Sequence, residues 1–259
     1  SSFYLINDIV DVEADRQHPL KRYRPIASGL VKIPVAIAMS LVLLSTALGV
    51  GWWQAQALGI TLTAYLLVQV AYNWRLKRTV ILDIMAIAAG FVLRAAAGAA
   101  ATGIILSPWF MLCTALLALF LGIEKRKAEL RLSVLRNLKT RAVLQRYSLP
   151  LLERMETIVA SGTIMTYALW SSGPQLKGAA TPWMLLTLPF VLYGVFRYQL
   201  LSDPQESERC QQHWGDDRGE HSERPEEILL TDRPILLTVV SWLATVIVIM
   251  ALERQGVIA

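Results

Sequence analysis

Seven stretches of the chain run 15 to 21 residues with almost no charge: Ile33 to Trp53, Ala57 to Trp74, Leu82 to Thr102, Pro108 to Ile123, Thr157 to Ser171, Pro182 to Phe196 and Pro234 to Leu252. A helix crossing the hydrocarbon layer needs about 20 mainly apolar residues, so each stretch predicts a membrane span, the shorter ones completed by interfacial residues. Gly103, Pro108, Gly173, Pro174, Pro182 and Pro234 punctuate the boundaries, and Trp52, Trp53, Trp74, Trp109, Trp170 and Trp183 lie near span ends, where indole rings anchor at the interface. Ser1 to Ile6 is short, apolar and continuous with a polar cluster, which predicts the last turns of a further helix whose beginning is absent. It lacks the basic start, long apolar centre and small-residue cleavage site of a signal peptide. The pattern predicts one all-α membrane domain over residues 1–259, short of its N-terminal helices, and no short-period repeat or linker divides it.

Charge placement orients this bundle. Of the 25 Lys and Arg, 22 fall in the segments 7–32, 75–78, 124–154 and 197–233, and only Lys177 and Arg254 fall in the opposite turns, with Arg94 inside a span. By the positive-inside rule those four segments are cytoplasmic, which predicts a multi-pass protein of the cell (inner or plasma) membrane. Composition agrees: 54% hydrophobic and 17% charged residues exclude a disordered, collagenous or disulfide-stapled chain. The net charge of +5 could invite nucleic acid as a partner. It resolves instead into +6 over 124–154 and −7 over 202–232, so no nucleic acid is expected. Cys113 and Cys210 form no disulfide framework, and His213 and His221 lack cysteine partners at zinc spacing.

Polar residues cluster at the charged face. Asn7, Asp8, Asp11 and Asp15 follow one another so that, on a helix, the three aspartates share a roughly 60° sector, with Asn7 one turn before Asp11. Three carboxylates and an amide on one face repel unless a cation sits among them, and Mg²⁺ suits oxygen donors that also bridge to phosphates. A solvated acidic helix end is the alternative. A basic turn follows immediately, with Arg16, His18, Lys21, Arg22 and Arg24 before Pro25 and Ser28-Gly29. Arginine is suited to bidentate phosphate contacts, whereas a positive-inside anchor explains the charge but not the Asn/Asp spacing. His18 reads as a loop residue. Asp83 stands at the cytoplasmic start of a span, and Arg94 lies 11 residues further on, about 16 Å deeper. A guanidinium at that depth lines a polar cavity or braces a neighbouring helix. Ala95 to Ala101 is small enough for close helix packing.

The run Asn7-Asp8-x-x-Asp11-x-x-x-Asp15 resembles the first aspartate-rich motif of the UbiA superfamily of intramembrane prenyltransferases. Its continuation Asp15-Arg16-x-His18-Pro19-x-Lys21-Arg22-x-Arg24-Pro25-Ile26-Ala27-Ser28-Gly29 is similar to one branch, the decaprenyl-phosphate phosphoribosyltransferases. Tyr72-Asn-Trp-Arg75-Leu76-Lys77-Arg78, with Leu82-Asp83 and Gly90 to Arg94, resembles the branch's second conserved region, its Tyr-to-Lys interval one residue longer than in many superfamily members. At Glu124-Lys125-Arg126-Lys127-Ala128-Glu129, where many relatives carry a second Asp-rich motif, three basic residues stand between two glutamates. That departure favours an additional phosphate in the polar substrate. Pro225 to Pro234 resembles the branch's loop before its last helix.

The resemblance implies a UbiA-type bundle, seven spans and the end of an earlier one here and nine in a complete chain. It implies Mg²⁺-dependent transfer of 5-phosphoribose from phosphoribosyl diphosphate to a polyprenyl phosphate, with diphosphate released. Asp8, Asp11 and Asp15 would be catalytic and, with Glu129, hold the metal. Asn7, Lys21, Arg22, Arg24, Tyr72, Lys77, Asp83, Arg94, Lys125 and Arg126 would bind substrates. The expected partners are these two substrates and the bilayer, and a homo-oligomer is compatible with them. Two rivals stay open: an aromatic prenyltransferase using the same first motif, and, more remotely, a transporter. Transporters carry broken helices and polar sites near the midplane, whereas the polar constellations here sit at one face.

Overall fold

The computed structural model describes residues 2–17, 21–135, 143–174, 177–203 and 232–256. His18, His213, His221, Cys210 and nearly all of the acidic segment 202–232 lie outside the described residues. Nine α-helices and short 3₁₀ turns account for most of the described chain, which contains no strand: α1 Ser2–Val10, α2 Val12–Gln17, α3 Ile33–Gln54, α4 Gln56–Trp74, α5 Leu82–Thr102, α6 Pro108–Leu135, α7 Leu149–Ser171, α8 Leu188–Leu201 and α9 Arg233–Arg254. In hydrocarbon, backbone polar groups must be satisfied within the segment, and helices do this.

All seven expected spans are helical. Five are long and apolar enough to cross a membrane: Ile33–Gln54, Leu82–Thr102, Pro108–Arg131, Pro182–Leu201 and Arg233–Arg254. The other two, α4 and α7, fall short because of their composition. Thr61, Thr63, Tyr65, Gln69, Tyr72 and Asn73 dilute α4, and α7 opens with Glu153, Arg154 and Glu156. Leu41, Val42, Leu237, Val240 and Ile247 are all more than half exposed, as expected of residues whose solvent is lipid. The span starting at Pro182 is not one regular helix, since a 3₁₀ segment Pro182–Thr187 precedes α8.

The chain forms two compact units, residues 1–76 with 93–104, and residues 77–92 with 105–259. In the first, Asp11 marks the joint between α1 and α2, yet its N–H donates to the Asn7 carbonyl (2.9 Å) and its own carbonyl accepts from Asp15 N–H (2.8 Å). Helical hydrogen bonding thus continues through the joint. Gly29 takes φ 84°, a conformation favoured by its lack of a Cβ, and reverses the chain toward α3. Val12, Ile26 and Ala36 form the small core beneath this reversal. The α3–α4 hairpin turns on the single extended residue Ala55. Gly59 lets the Trp52 ring lie against the α4 backbone, where any Cβ would collide with it.

In the second unit α6 packs along α7. Ile84, Ile123, Leu144, Tyr147 and Leu152 make one core at the end carrying Asp83, and Phe120, Ala160, Val195, Tyr198 and Ile235 make another. Asp232 caps α9 by accepting from Ile235 N–H (2.9 Å) and pairs with Arg197 (2.9 Å), so the acid before Pro234 starts that helix.

Candidate active site

In the first unit the helical register of α1 and α2 puts Asp8 and Asp15 on one face, and the turn after α2 returns Arg24 to them. Arg24 Nη1 donates to Asp8 Oδ1 and to Asp15 Oδ2, each at 2.8 Å. Asp15 is buried, while Asp8 and Arg24 remain accessible, their side chains 23% and 41% exposed. Arg16 Nε donates to the Ala27 carbonyl (3.3 Å) and fixes the same turn. Arg22 turns instead to Tyr23, donating to its hydroxyl at 2.7 Å. The side chain of Lys21 lies outside the described residues. Tyr72 is half-buried on α4. Arg94 donates to Tyr65 Oη (2.9 Å) and stacks its guanidinium 5.4 Å from that ring centre, beside a cavity of about 230 Å³ lined largely by Phe3, Leu44, Leu48, Leu62 and Leu66.

Asn7 Oδ1 is buried and has no hydrogen-bond partner among the described residues. A buried amide oxygen left unpaired costs roughly 1–3 kcal/mol, and coordinating a cation would remove that cost. Among the described residues no three His, Cys, Asp or Glu side chains converge as a metal cage. The cation between Asp8 and Asp15 is the guanidinium of Arg24. The donor set still suits Mg²⁺, which keeps several waters and takes one or two carboxylates in preference to a full protein cage. Asn7, Asp8 and Asp11 offer only hard oxygens.

The second unit gathers different charges. Asp83, with no solvent exposure, accepts from Arg126 Nε (2.9 Å) and from Tyr147 Oη (2.7 Å). Arg126 Nη1 reaches on to Glu129 Oε2 at 2.5 Å. Burial pushes the Tyr147 phenol above its ordinary pKa. The hydrogen bond from Ile81 N–H pulls the pKa down, the Asp83 carboxylate pushes it up again and Arg126 lowers it. The phenol therefore stays protonated and remains a donor to Asp83. Lys77 and Lys125 are half-buried, on the 3₁₀ turn Leu76–Arg78 and on α6. On the next residue of α6, Lys127 Nζ donates to Glu124 Oε1 (2.8 Å) and to Glu156, whose second oxygen accepts from Gln199 (2.8 Å).

The structure thus brings together Asp8, Asp15 and Arg24, and separately Asp83, Arg126 and Glu129. Tyr147 and the Lys127–Glu156–Gln199 chain were not anticipated. Tyr147 is 64 residues from Asp83 and Glu156 is 29 from Lys127, distances at which sequence spacing carries no signal. The i,i+3 pairs Arg126–Glu129 and Glu124–Lys127 were legible as spacing.

The apolar helices with charge gathered at their ends define a multi-pass membrane protein. The UbiA prenyltransferase family profile matches residues 1–216, and the chain belongs to that family, as a transferase of UbiA type. It is 36% identical over 254 residues to the decaprenyl-phosphate phosphoribosyltransferase of Mycolicibacterium smegmatis, spanning 95% of this chain and 75% of that protein. Identity to the protein of the same name from Mycobacterium tuberculosis is 34% over 247 residues, 95% of this chain and 76% of that one. A UbiA homolog from Archaeoglobus fulgidus, solved with DMAPP and Mg²⁺, superposes with a TM-score of 0.64 over 96% of this chain and 83% of that chain. At 15% identity that likeness is one of fold.

Proposed function

We propose that the protein transfers 5-phosphoribose from phosphoribosyl diphosphate to a polyprenyl phosphate of decaprenyl type at the cytoplasmic face of the cell membrane. The observation that carries this reading is the identity of 34–36% to two decaprenyl-phosphate phosphoribosyltransferases along 95% of the chain. The basic turn and the accessible Asp8–Arg24 pair supply the matching chemistry. The concentration of Lys and Arg in four segments supports the orientation.

In the reaction the bond between the anomeric carbon and the diphosphate oxygen breaks, and an oxygen of the lipid phosphate forms the new bond to that carbon. Diphosphate leaves with the electron pair. The attacking phosphate is already anionic, so no strong general base is required, and none of the residues assigned here acts as one. Asn7, Asp8 and Asp11 would hold Mg²⁺, with Asp15 holding Arg24 beside them. The metal, when bound, would neutralise charge growing on the leaving diphosphate. Arg24, freed from Asp8, can turn to a substrate phosphate while Asp15 still orients it. Lys21, Arg22, Lys77 and Lys125 are further phosphate ligands in this reading, and Glu129 orients Arg126.

The test supplies purified protein with phosphoribosyl diphosphate labelled in the ribose, polyprenyl phosphate and Mg²⁺. Label is expected in the lipid, and Asp8→Asn and Asp11→Asn are expected to abolish its appearance. No labelled lipid, together with prenylation of an aromatic acid from an isoprenyl diphosphate, overturns the proposal. Unchanged lipid synthesis in both variants would remove the metal site from it.

A further inference from the structure

Ile81 is a β-branched residue at φ 71°, a left-handed conformation that costs such a residue of order 1–3 kcal/mol unless its surroundings enforce it. It closes the short segment between α4 and α5 that holds Lys77 and Arg78 in a 3₁₀ turn. Its N–H donates to Tyr147 Oη at 2.7 Å, and the same hydroxyl donates to Asp83 Oδ1 at 2.7 Å. Asp83 is tied in turn to Arg126 on α6. Tyr147 is 5% exposed, and its ring packs with Ile84, Ile123, Leu144 and Leu152. One phenol therefore joins a strained backbone amide to the charged end of α6. Every atom in the chain belongs to the second unit.

We infer that Tyr147 is a positioning residue: by holding Ile81 in its left-handed conformation it sets the placement of the Leu76–Arg78 turn, through which the enzyme binds the phosphates of its donor substrate. This rests on the reading of the protein as a phosphoribosyltransferase, with Lys77 among its phosphate ligands. A phenylalanine at position 147 keeps the ring and its packing but neither accepts from Ile81 nor donates to Asp83. Ile81 then relaxes toward negative φ and carries the turn with it. The ligands of the turn are lost to ground state and transition state alike, and this signature raises KM and spares kcat.

A purely structural tyrosine would behave differently. Its loss would reduce the folded fraction, and so the apparent kcat, without moving KM. Ile81→Gly separates the two cases further, because glycine adopts positive φ without steric cost and the turn no longer needs the phenol to stay in place.

The experiment measures KM for phosphoribosyl diphosphate in Tyr147→Phe, Ile81→Gly and the double variant, with thermal unfolding of each in detergent. The expected results are a KM roughly tenfold higher in Y147F with kcat within about twofold of the starting protein, and a change of at most about twofold when Y147F is added to I81G. Unchanged KM in Y147F, or the same KM ratio in both backgrounds, overturns the inference. If Y147F alone does not fold, the double variant is expected to fold and to keep a KM near that of I81G. A double variant that also fails to fold makes Tyr147 structural. The parent protein is assayed first with the labelled donor and acceptor. Absence of turnover there condemns the functional reading, whereas a turning-over parent with an unmoved Y147F condemns only the positioning role.

Discussion

The two units handle charge in opposite ways. In the first, Arg24 bridges Asp8 and Asp15 with about two-fifths of its side chain still exposed, and the buried Asn7 Oδ1 has no partner among the described residues. In the second, Asp83, Arg126, Lys127, Glu124 and Glu156 are each less than a tenth exposed and paired in two groups, Asp83 with Arg126 and Lys127 with Glu124 and Glu156. An accessible, under-satisfied cluster can exchange partners when a cation or phosphate arrives. A closed, fully desolvated network cannot exchange cheaply, because a charge that loses its partner there has no water to fall back on. In the proposed reading the metal-binding chemistry therefore belongs to the first motif, while the ion pairs of the second unit tie α6 to α5 and to α7.

This contrast gives its sharpest prediction at Asp11. Asp11→Asn is expected to lower kcat/KM by about a thousandfold with its thermal unfolding midpoint almost unchanged, as measured by lipid labelling beside unfolding in detergent. Asp83→Ala should do the reverse. It takes one partner from Arg126 and one from Tyr147 in a dry site, at a cost of about 3–5 kcal/mol, read as a large fall in unfolding temperature. Lys127→Met is expected to cost about 3 kcal/mol by leaving Glu124 and Glu156 facing each other. Replacing all three with apolar residues of similar volume should recover most of that loss, which distinguishes a register device from a net source of stability. The smallest effect belongs to the exposed Arg16–Glu13 pair at 3.4 Å. Glu13→Ala is expected to move the unfolding midpoint by no more than about 1 °C. Stability loss at Asp11 matching that at Asp83 would erase the distinction between the units.

Most of the scaffold was legible because lipid imposes a coarse rule. Apolar runs located the seven helices expected as spans, and Pro and Gly marked many of their ends. The rule weakened at α4 and α7, whose polar residues make them poorer spans while leaving them good helices. At Pro182 the sequence signalled a start but not that the first turns would be 3₁₀. The Asn7 to Asp15 constellation could be read from local spacing, since a helix converts spacing into a shared face. Which cation would sit there could not, because Arg24 reaches Asp8 only through the turn that follows α2. Arg126 was expected to meet a phosphate, and the structure gives it Asp83 and Glu129 as partners. Tyr147 was silent in the sequence, and its role comes from tertiary placement alone.

The most direct test is the stoichiometry of the reaction with phosphoribosyl diphosphate and polyprenyl phosphate. The lipid product, identified by mass, should carry one phosphoribosyl group, with one diphosphate released for each lipid formed. Diphosphate appearing with free ribose 5-phosphate and unaltered lipid, or no diphosphate at all, would contradict the assignment.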